Sequence, residues 1–266
     1  MILPFLPPDV GVEIRRLPVV SFIRKIRTTV NAYSILLGLG ASLAILWVVQ
    51  NVPRWQAERW GNAGLWTLLG ALLGARLGYV LIQWPYFKPH LFEAFAFWLG
   101  GLSWPGAVLG GLLAVGLVAW RWKTGFWRVA DGLAPMIPPL VIAAWLGCWL
   151  SGVAYGPAAP QGAFWAVPSR DEFGQIAPRF PLQIMAAIFM LVYAFVIELR
   201  KARFKHPGEK TVWMLLGLAL DLLVFTLLRA DPGLFIGPLR LESWAAGLLF
   251  LAGLAALLRS ILRSRE

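Results

Sequence analysis

The chain has 266 residues, of which 59% are apolar and 14% charged, against about 25% charged in an ordinary globular protein. A mean hydropathy of +0.70, with 15 Trp, 16 Phe and 27 Gly, is a bilayer composition, since a water-soluble domain of this size cannot hide so much apolar surface. A soluble enzyme, a disordered chain and a nucleic-acid-binding domain are excluded, and the net charge of +11 points to basic loops on one side of a membrane.

Runs long enough to cross about 30 Å of hydrocarbon predict seven transmembrane helices, at residues 30–50, 63–84, 103–120, 129–152, 181–199, 211–228 and 243–262. The fold class is therefore all-α, a polytopic membrane protein forming one integral membrane domain over residues 1–266. Residues 1–29 lack the apolar run and cleavage site of a signal peptide, so the first span is expected to double as the targeting signal. Pro135, Pro138 and Pro139 require the fourth span to bend or break. Leu91–Gly101 is apolar but too short to cross, and reads as a re-entrant half-helix before helix three. The longest loop, Val153–Phe180, reads as a small external cap. Cys148 is the single cysteine and permits no internal disulfide.

Basic residues orient the chain. Arg54, Arg59, Arg121, Lys123, Arg128, Arg200, Lys201, Arg203, Lys205, Lys210, Arg259, Arg263 and Arg265 fall in the loops after helices one, three and five and in the C-terminal tail. The alternate loops hold only Lys88, Arg170, Arg179, Arg229 and Arg240. The first set is expected to be cytoplasmic, with the N-terminus outside, although Arg15, Arg16, Arg24, Lys25 and Arg27 before helix one pull the other way.

Charges inside spans are costly, by about 2.5–3.5 kcal/mol each on insertion scales, and three call for a reason. Arg76 would hold a lipid phosphate or a catalytic carboxylate, or else pair with a buried aspartate or snorkel to the interface. Asp131, at the start of helix four, suits a helix N-terminus. Asp221 lies mid-span. Gly70, Gly74 and Gly78, with Gly106 and Gly110, have the four-residue spacing that lets helix backbones approach closely. Gly100, Gly101, Ser103, Pro105 and Gly106 predict irregular backbone at membrane depth, which must line protein or a watery cavity. His90 and His206 read as surface residues, no metal-ligating constellation or soluble-enzyme motif is present, and no cofactor is expected.

Several segments taken together resemble the prolipoprotein diacylglyceryl transferases. They are Gly74-Ala-Arg76-Leu-Gly78-Tyr79-Val80, Phe97-Trp98-Leu99-Gly100-Gly101-Leu102-Ser103, Gly106-Ala-Val-Leu-Gly110-Gly111, Ala130-Asp131-Gly-Leu-Ala134-Pro135-Met-Ile137-Pro138, and Leu146-Gly147-Cys148-Trp149-Leu150-Ser151-Gly152-Val-Ala-Tyr155-Gly156. Asn31-Ala-Tyr33, Pro181-Leu-Gln183 and Arg229-Ala-Asp231-Pro232 are further echoes. The resemblance implies a seven-helix enzyme of the bacterial inner (plasma) membrane that moves diacylglyceryl from phosphatidylglycerol to the lipobox cysteine of a preprolipoprotein, releasing glycerol phosphate. It implies phosphatidylglycerol, the signal peptide of the preprolipoprotein and the bilayer as partners. It places Arg76, Ser103, Gly106, Trp145, Gly147, Tyr155, Gln183 and Arg229 at a lipid-phosphate site, with Gly101 beside them and Tyr33 as the candidate catalytic residue.

The chain departs from the family pattern at charged positions. Trp145 stands where the family has an arginine and Pro105 where it has a histidine. Ala186 replaces a glutamate, and Leu222 and Thr226 replace an arginine and a glutamate. Either Arg76, Arg179 and Arg229 take over the charge work, or the protein is a catalytically silent relative that binds anionic lipid or signal helices. A small transporter without transferase ancestry is the third expectation, and the succession of motifs argues against it.

Overall fold

The computed structural model describes residues 18–263 except 97–99, 161, 172, 201–203 and 205. Arg15, Arg16, Phe97, Trp98, Leu99, Lys201, Arg203, Lys205 and Arg265 therefore lie outside the described residues. Among the described residues, seven spans are long and apolar enough to cross a membrane: Ala32–Gln50, Arg54–Ile82, Trp104–Arg121, Phe126–Ser151, Leu182–Leu199, Glu209–Leu227 and Leu241–Arg259. They are built from α1 (Pro18–Gln50), α2 (Ala57–Ile82), α3 (Trp104–Arg121), α4 (Phe126–Leu133), α5 (Ile137–Ser151), α6 (Leu182–Leu199), α7 (Glu209–Leu227) and α8 (Leu241–Arg263).

The fourth span breaks as the prolines require. A 3-10 turn at Ala134–Met136 separates α4 from α5, and Pro138 and Pro139 then fall in the first turn of α5, where a missing backbone N–H costs least. Among the described residues of Leu91–Gly101, the helical part is one 3-10 turn, Leu91–Phe95. The loop after α5 carries a hairpin of β1 (Val167–Arg170) and β2 (Ile176–Arg179), with Val167 opposite Arg179. A smaller pair, β3 (Phe235–Ile236) and β4 (Leu239–Arg240), precedes α8.

Small residues set the tightest packing. An added Cβ at Gly70 would lie 2.6 Å from the Ala114 Cβ and 2.8 Å from the Gly110 oxygen, and one at Gly74 would collide with the Gly106 carbonyl. Thus α2 and α3 run antiparallel with their backbones in contact. Leu109, Leu113 and Leu117, on another face of α3, stay exposed where lipid would cover them. Gly40 against Ala143 and Gly147 against Tyr33 pair α1 with α5 in the same antiparallel sense. One core joins α1 to α4 through Ala44, Val48, Val115, Val118 and Leu133. A second joins α5 to α8 through Trp145, Leu182, Met190, Leu218 and Phe225.

Candidate functional site

Tyr33, Arg76, Ser103, Gly106, Gly147, Tyr155, Gln183 and Arg229 all lie toward one end of the antiparallel bundle, where β1–β2 and β3–β4 also sit. They form three neighbourhoods. In the first, α2 presents Arg76, which is 4% exposed. Its Nε donates to the Ala94 carbonyl at 2.8 Å, Nη1 donates to the Gly100 carbonyl and, at 3.1 Å, to the Gly101 carbonyl, and Nη2 donates to the Glu93 backbone carbonyl at 2.5 Å. The planar fork of donors thus satisfies carbonyls that irregular backbone leaves unpaired at membrane depth.

Gly100 and Gly101 have φ of 80° and 75°, a left-handed backbone that favours glycine. A side chain at Gly101 would strike the Tyr79 ring. Ser103 is buried, its N–H donates to the Ala75 carbonyl at 3.0 Å, and Gly106 packs on Gly74. The sequence offers a lipid phosphate, a carboxylate or the membrane interface as the partner of Arg76. Asp131 and Asp221 are instead engaged elsewhere, and Arg76 fastens the segment before α3.

Asp131 accepts from the Gly208 N–H, from the Thr211 N–H at 2.8 Å and from the Thr211 hydroxyl at 2.6 Å. It caps α7 across the bundle, not its own helix. Asp221 is fully buried, and its Oδ2 accepts from the Trp145 Nε1 at 2.8 Å. Trp145, expected beside the lipid, is an interior residue packed edge-on against Phe225.

In the second neighbourhood, Gly147 leaves room for the Tyr33 ring. Near it, Arg229 grips Asp231 with Nε and Nη2 at 2.8 and 2.7 Å and Glu242 with Nη1 at 2.5 Å. Burial works against the charged form. The Asp231 hydrogen bonds and the Glu242 and Asp231 charges outweigh it, holding the guanidinium more firmly protonated than in water. Arg240 adds bonds to the Asp231 and Arg229 carbonyls. The fork expected to grip a phosphate is here matched to two carboxylates.

The third neighbourhood lies under β1–β2. Gln183, almost fully buried, donates from Nε2 to the Val153 carbonyl at 2.9 Å. The Tyr155 carbonyl accepts from the Ala230 N–H at 2.9 Å, which ties this group to the second. The Arg179 guanidinium lies 4.3 Å from the centre of the Tyr155 ring. Its Nη2 is 3.5 Å from Asp171, and its buried Nε has no hydrogen-bond partner among the described residues. In the sequence Arg179 is a basic loop residue and one of three arginines expected to take over the charge work. No spacing rule could show its unused donor, because the hairpin register that places it beside Tyr155 forms across the whole loop.

A model of the family described as prolipoprotein diacylglyceryl transferase matches residues 20–259. The chain belongs to this family. Curated relatives named phosphatidylglycerol–prolipoprotein diacylglyceryl transferase include one from Azoarcus sp., 31% identical over 76% of this chain and 78% of the relative. One from Thermosynechococcus vestitus is 30% identical over 80% of this chain and 82% of the relative, and one from Aromatoleum aromaticum is 33% identical over 68% and 69%.

As a member of the prolipoprotein diacylglyceryl transferase family, the chain makes its departures together. Trp145, Ala186 and Leu222 belong to one buried apolar cluster, Thr226 is buried, and Pro105 sits in the first turn of α3. Where the family resemblance implies charges on α5, α6 and α7, this chain has an apolar interior around Asp221.

Proposed function

We propose that the protein is a phosphatidylglycerol–prolipoprotein diacylglyceryl transferase of the bacterial plasma membrane, working at the bundle end that carries Tyr33, Arg76, Arg179 and Arg229, with that end and the N-terminus outside and the C-terminus cytoplasmic. The observation that carries the reading is the family match over residues 20–259. The gathering of the residues that fit the family motifs at one end supports it.

In this reading a prolipoprotein cysteine gives up its proton, and the sulfur attacks the glycerol carbon that carries the phosphate ester. The carbon–oxygen bond breaks, and glycerol phosphate leaves with the electron pair. A departing phosphate needs a cation at hydrogen-bonding distance. Arg179 meets that need, with a buried donor unused and its plane fixed on Tyr155. Arg76 adds a buried positive charge and shapes the segment leading into α3, and Tyr33, packed on Gly147, is the candidate catalytic residue. In this reading Ser103, Gly106, Gly147, Tyr155 and Gln183 border the lipid site, which opens sideways to the outer leaflet. Arg229 acts through the Asp231–Glu242 pair, as a fixed corner of the site.

The test is transfer of labelled diacylglyceryl from phosphatidylglycerol to a model preprolipoprotein by the purified protein, together with rescue of a depletion strain. Both are expected to succeed, and failure of both with folded protein overturns the reading. Arg179→Gln is expected to slow transfer about 10- to 100-fold, the loss of one charge-assisted hydrogen bond of about 1.5–3 kcal/mol. Arg179→Lys keeps the charge but not the fork and is expected to recover part of the rate. Equal rates in all three proteins would place the phosphate elsewhere.

A further inference from the structure

At the bundle end opposite this site, an open cleft of about 550 Å³ is lined by Arg59, Arg121, Trp122 and Lys123. We propose that the cleft binds the phosphate headgroup of an anionic phospholipid in the leaflet facing it, as a site separate from the transferase site.

Three cations converge there from two elements, Arg59 from the first turn of α2 and Arg121 and Lys123 from the end of α3. Among the described residues, no acidic residue lines the cleft. Among the described residues, no carboxylate lies within salt-bridge distance of any of the three. A cation in the last turn of a helix answers the helix dipole, which accounts for Arg121 but not for three charges together.

The cleft is also built rather than merely charged. The Arg59 guanidinium lies 4.1 Å from the centre of the Trp122 ring, and Trp60 meets Trp122 edge-on at 5.1 Å. One cation is therefore held in place by stacking. Lys123 has φ of 52°, a left-handed backbone that costs a lysine energy. The turn is closed by the Thr124 N–H donating to the Ala119 carbonyl at 3.0 Å, and it brings Lys123 back to the cleft wall.

Depth argues for a lipid rather than a dissolved anion. Trp120 is 78% and Trp55 80% exposed at this same end, and tryptophans in such positions mark the headgroup layer. Basic pockets between spans at that depth suit phospholipid phosphates.

The experiment is a native mass spectrometry titration of the full chain in neutral detergent. Dioleoyl-phosphatidic acid is the probe, with dioleoyl-phosphatidylcholine and inorganic phosphate as comparison arms. Arg121→Gln/Lys123→Gln is set against Arg54→Gln/Arg259→Gln, which removes the same charge from the same face outside the cleft. The cleft variant is expected to bind phosphatidic acid about tenfold more weakly, the control less than twofold, with phosphatidylcholine binding unchanged. An equal loss in both variants would mean diffuse attraction and overturn the site. Displacement of phosphatidic acid by millimolar inorganic phosphate would overturn the lipid assignment. If the double variant fails to fold, Lys123→Asn, which suits left-handed backbone, is set against Arg54→Gln, one charge being removed in each.

Discussion

Two intramembrane charges show how a residue's chemistry outruns its place in the sequence. Asp131 has the composition of an N-cap for its own helix. The structure spends both its oxygens on Gly208 and Thr211, at the start of α7. Capping works across space because the first N–H groups of a helix need only an acceptor. Asp131→Ala is expected to cost about 1–2 kcal/mol, the value of a good cap, lowering the melting temperature in detergent by about 2–4 °C for each kcal/mol. Asp131→Asn keeps one acceptor oxygen and is expected to fall between. Identical melting of Ala and wild type would mean that α7 starts unaided. Arg76 was legible as a buried cation in need of acceptors, but not as one served by carbonyls. Its partners, Glu93, Ala94, Gly100 and Gly101, come from irregular backbone that no periodic pattern announces.

At the scale of elements, apolar runs locate the spans well because length and hydropathy are the terms the bilayer reads. Their ends are less visible. The second helix begins at Ala57, ahead of the expected residue 63, since Glu58, Arg59 and Asn62 make its first two turns polar and a count of apolar residues skips them. The glycine spacing, by contrast, carried real information about which helices touch. Gly74→Leu is expected to lower the melting temperature sharply, because the added side chain meets the Gly106 carbonyl and the Gly110 Cα at 2.7 Å. Backbone cannot yield as a rotamer can. Gly38→Leu is the control, with nothing within 4 Å of an added Cβ, and it is expected to melt with the wild type. Equal melting of the two leucine variants would show that α2 and α3 separate without cost.

For the whole molecule, family and architecture were legible while the division of labour among cations was not. Arg229 reads in sequence as a phosphate ligand, but its two carboxylate partners arrive from Asp231 and the first turn of α8. Trp145 reads as a lipid contact and instead pairs with Asp221, 76 residues away in the chain. Both facts depend on how four helices close around one core. The global charge pattern is different, because it is additive and needs no packing. With seven crossings, every second connection shares a side, so the basic connections at Arg54–Arg59, Arg121–Arg128 and Arg200–Lys210 must lie together, opposite Lys88 and Arg170. The basic residues before the first span oppose this, but Arg24, Lys25 and Arg27 fall within α1, whose 33 residues extend about 50 Å at 1.5 Å per residue. That exceeds the hydrocarbon thickness, so its first turns project beyond the core, and three basic connections outweigh one end. Alkaline phosphatase fusions after Lys88 and Ser169 are expected to be active, and fusions after Lys123 and Pro207 inactive, with β-galactosidase fusions giving the reverse. An active phosphatase at Pro207, inside the most basic connection, would invert the chain and move the proposed transferase end to the cytoplasm.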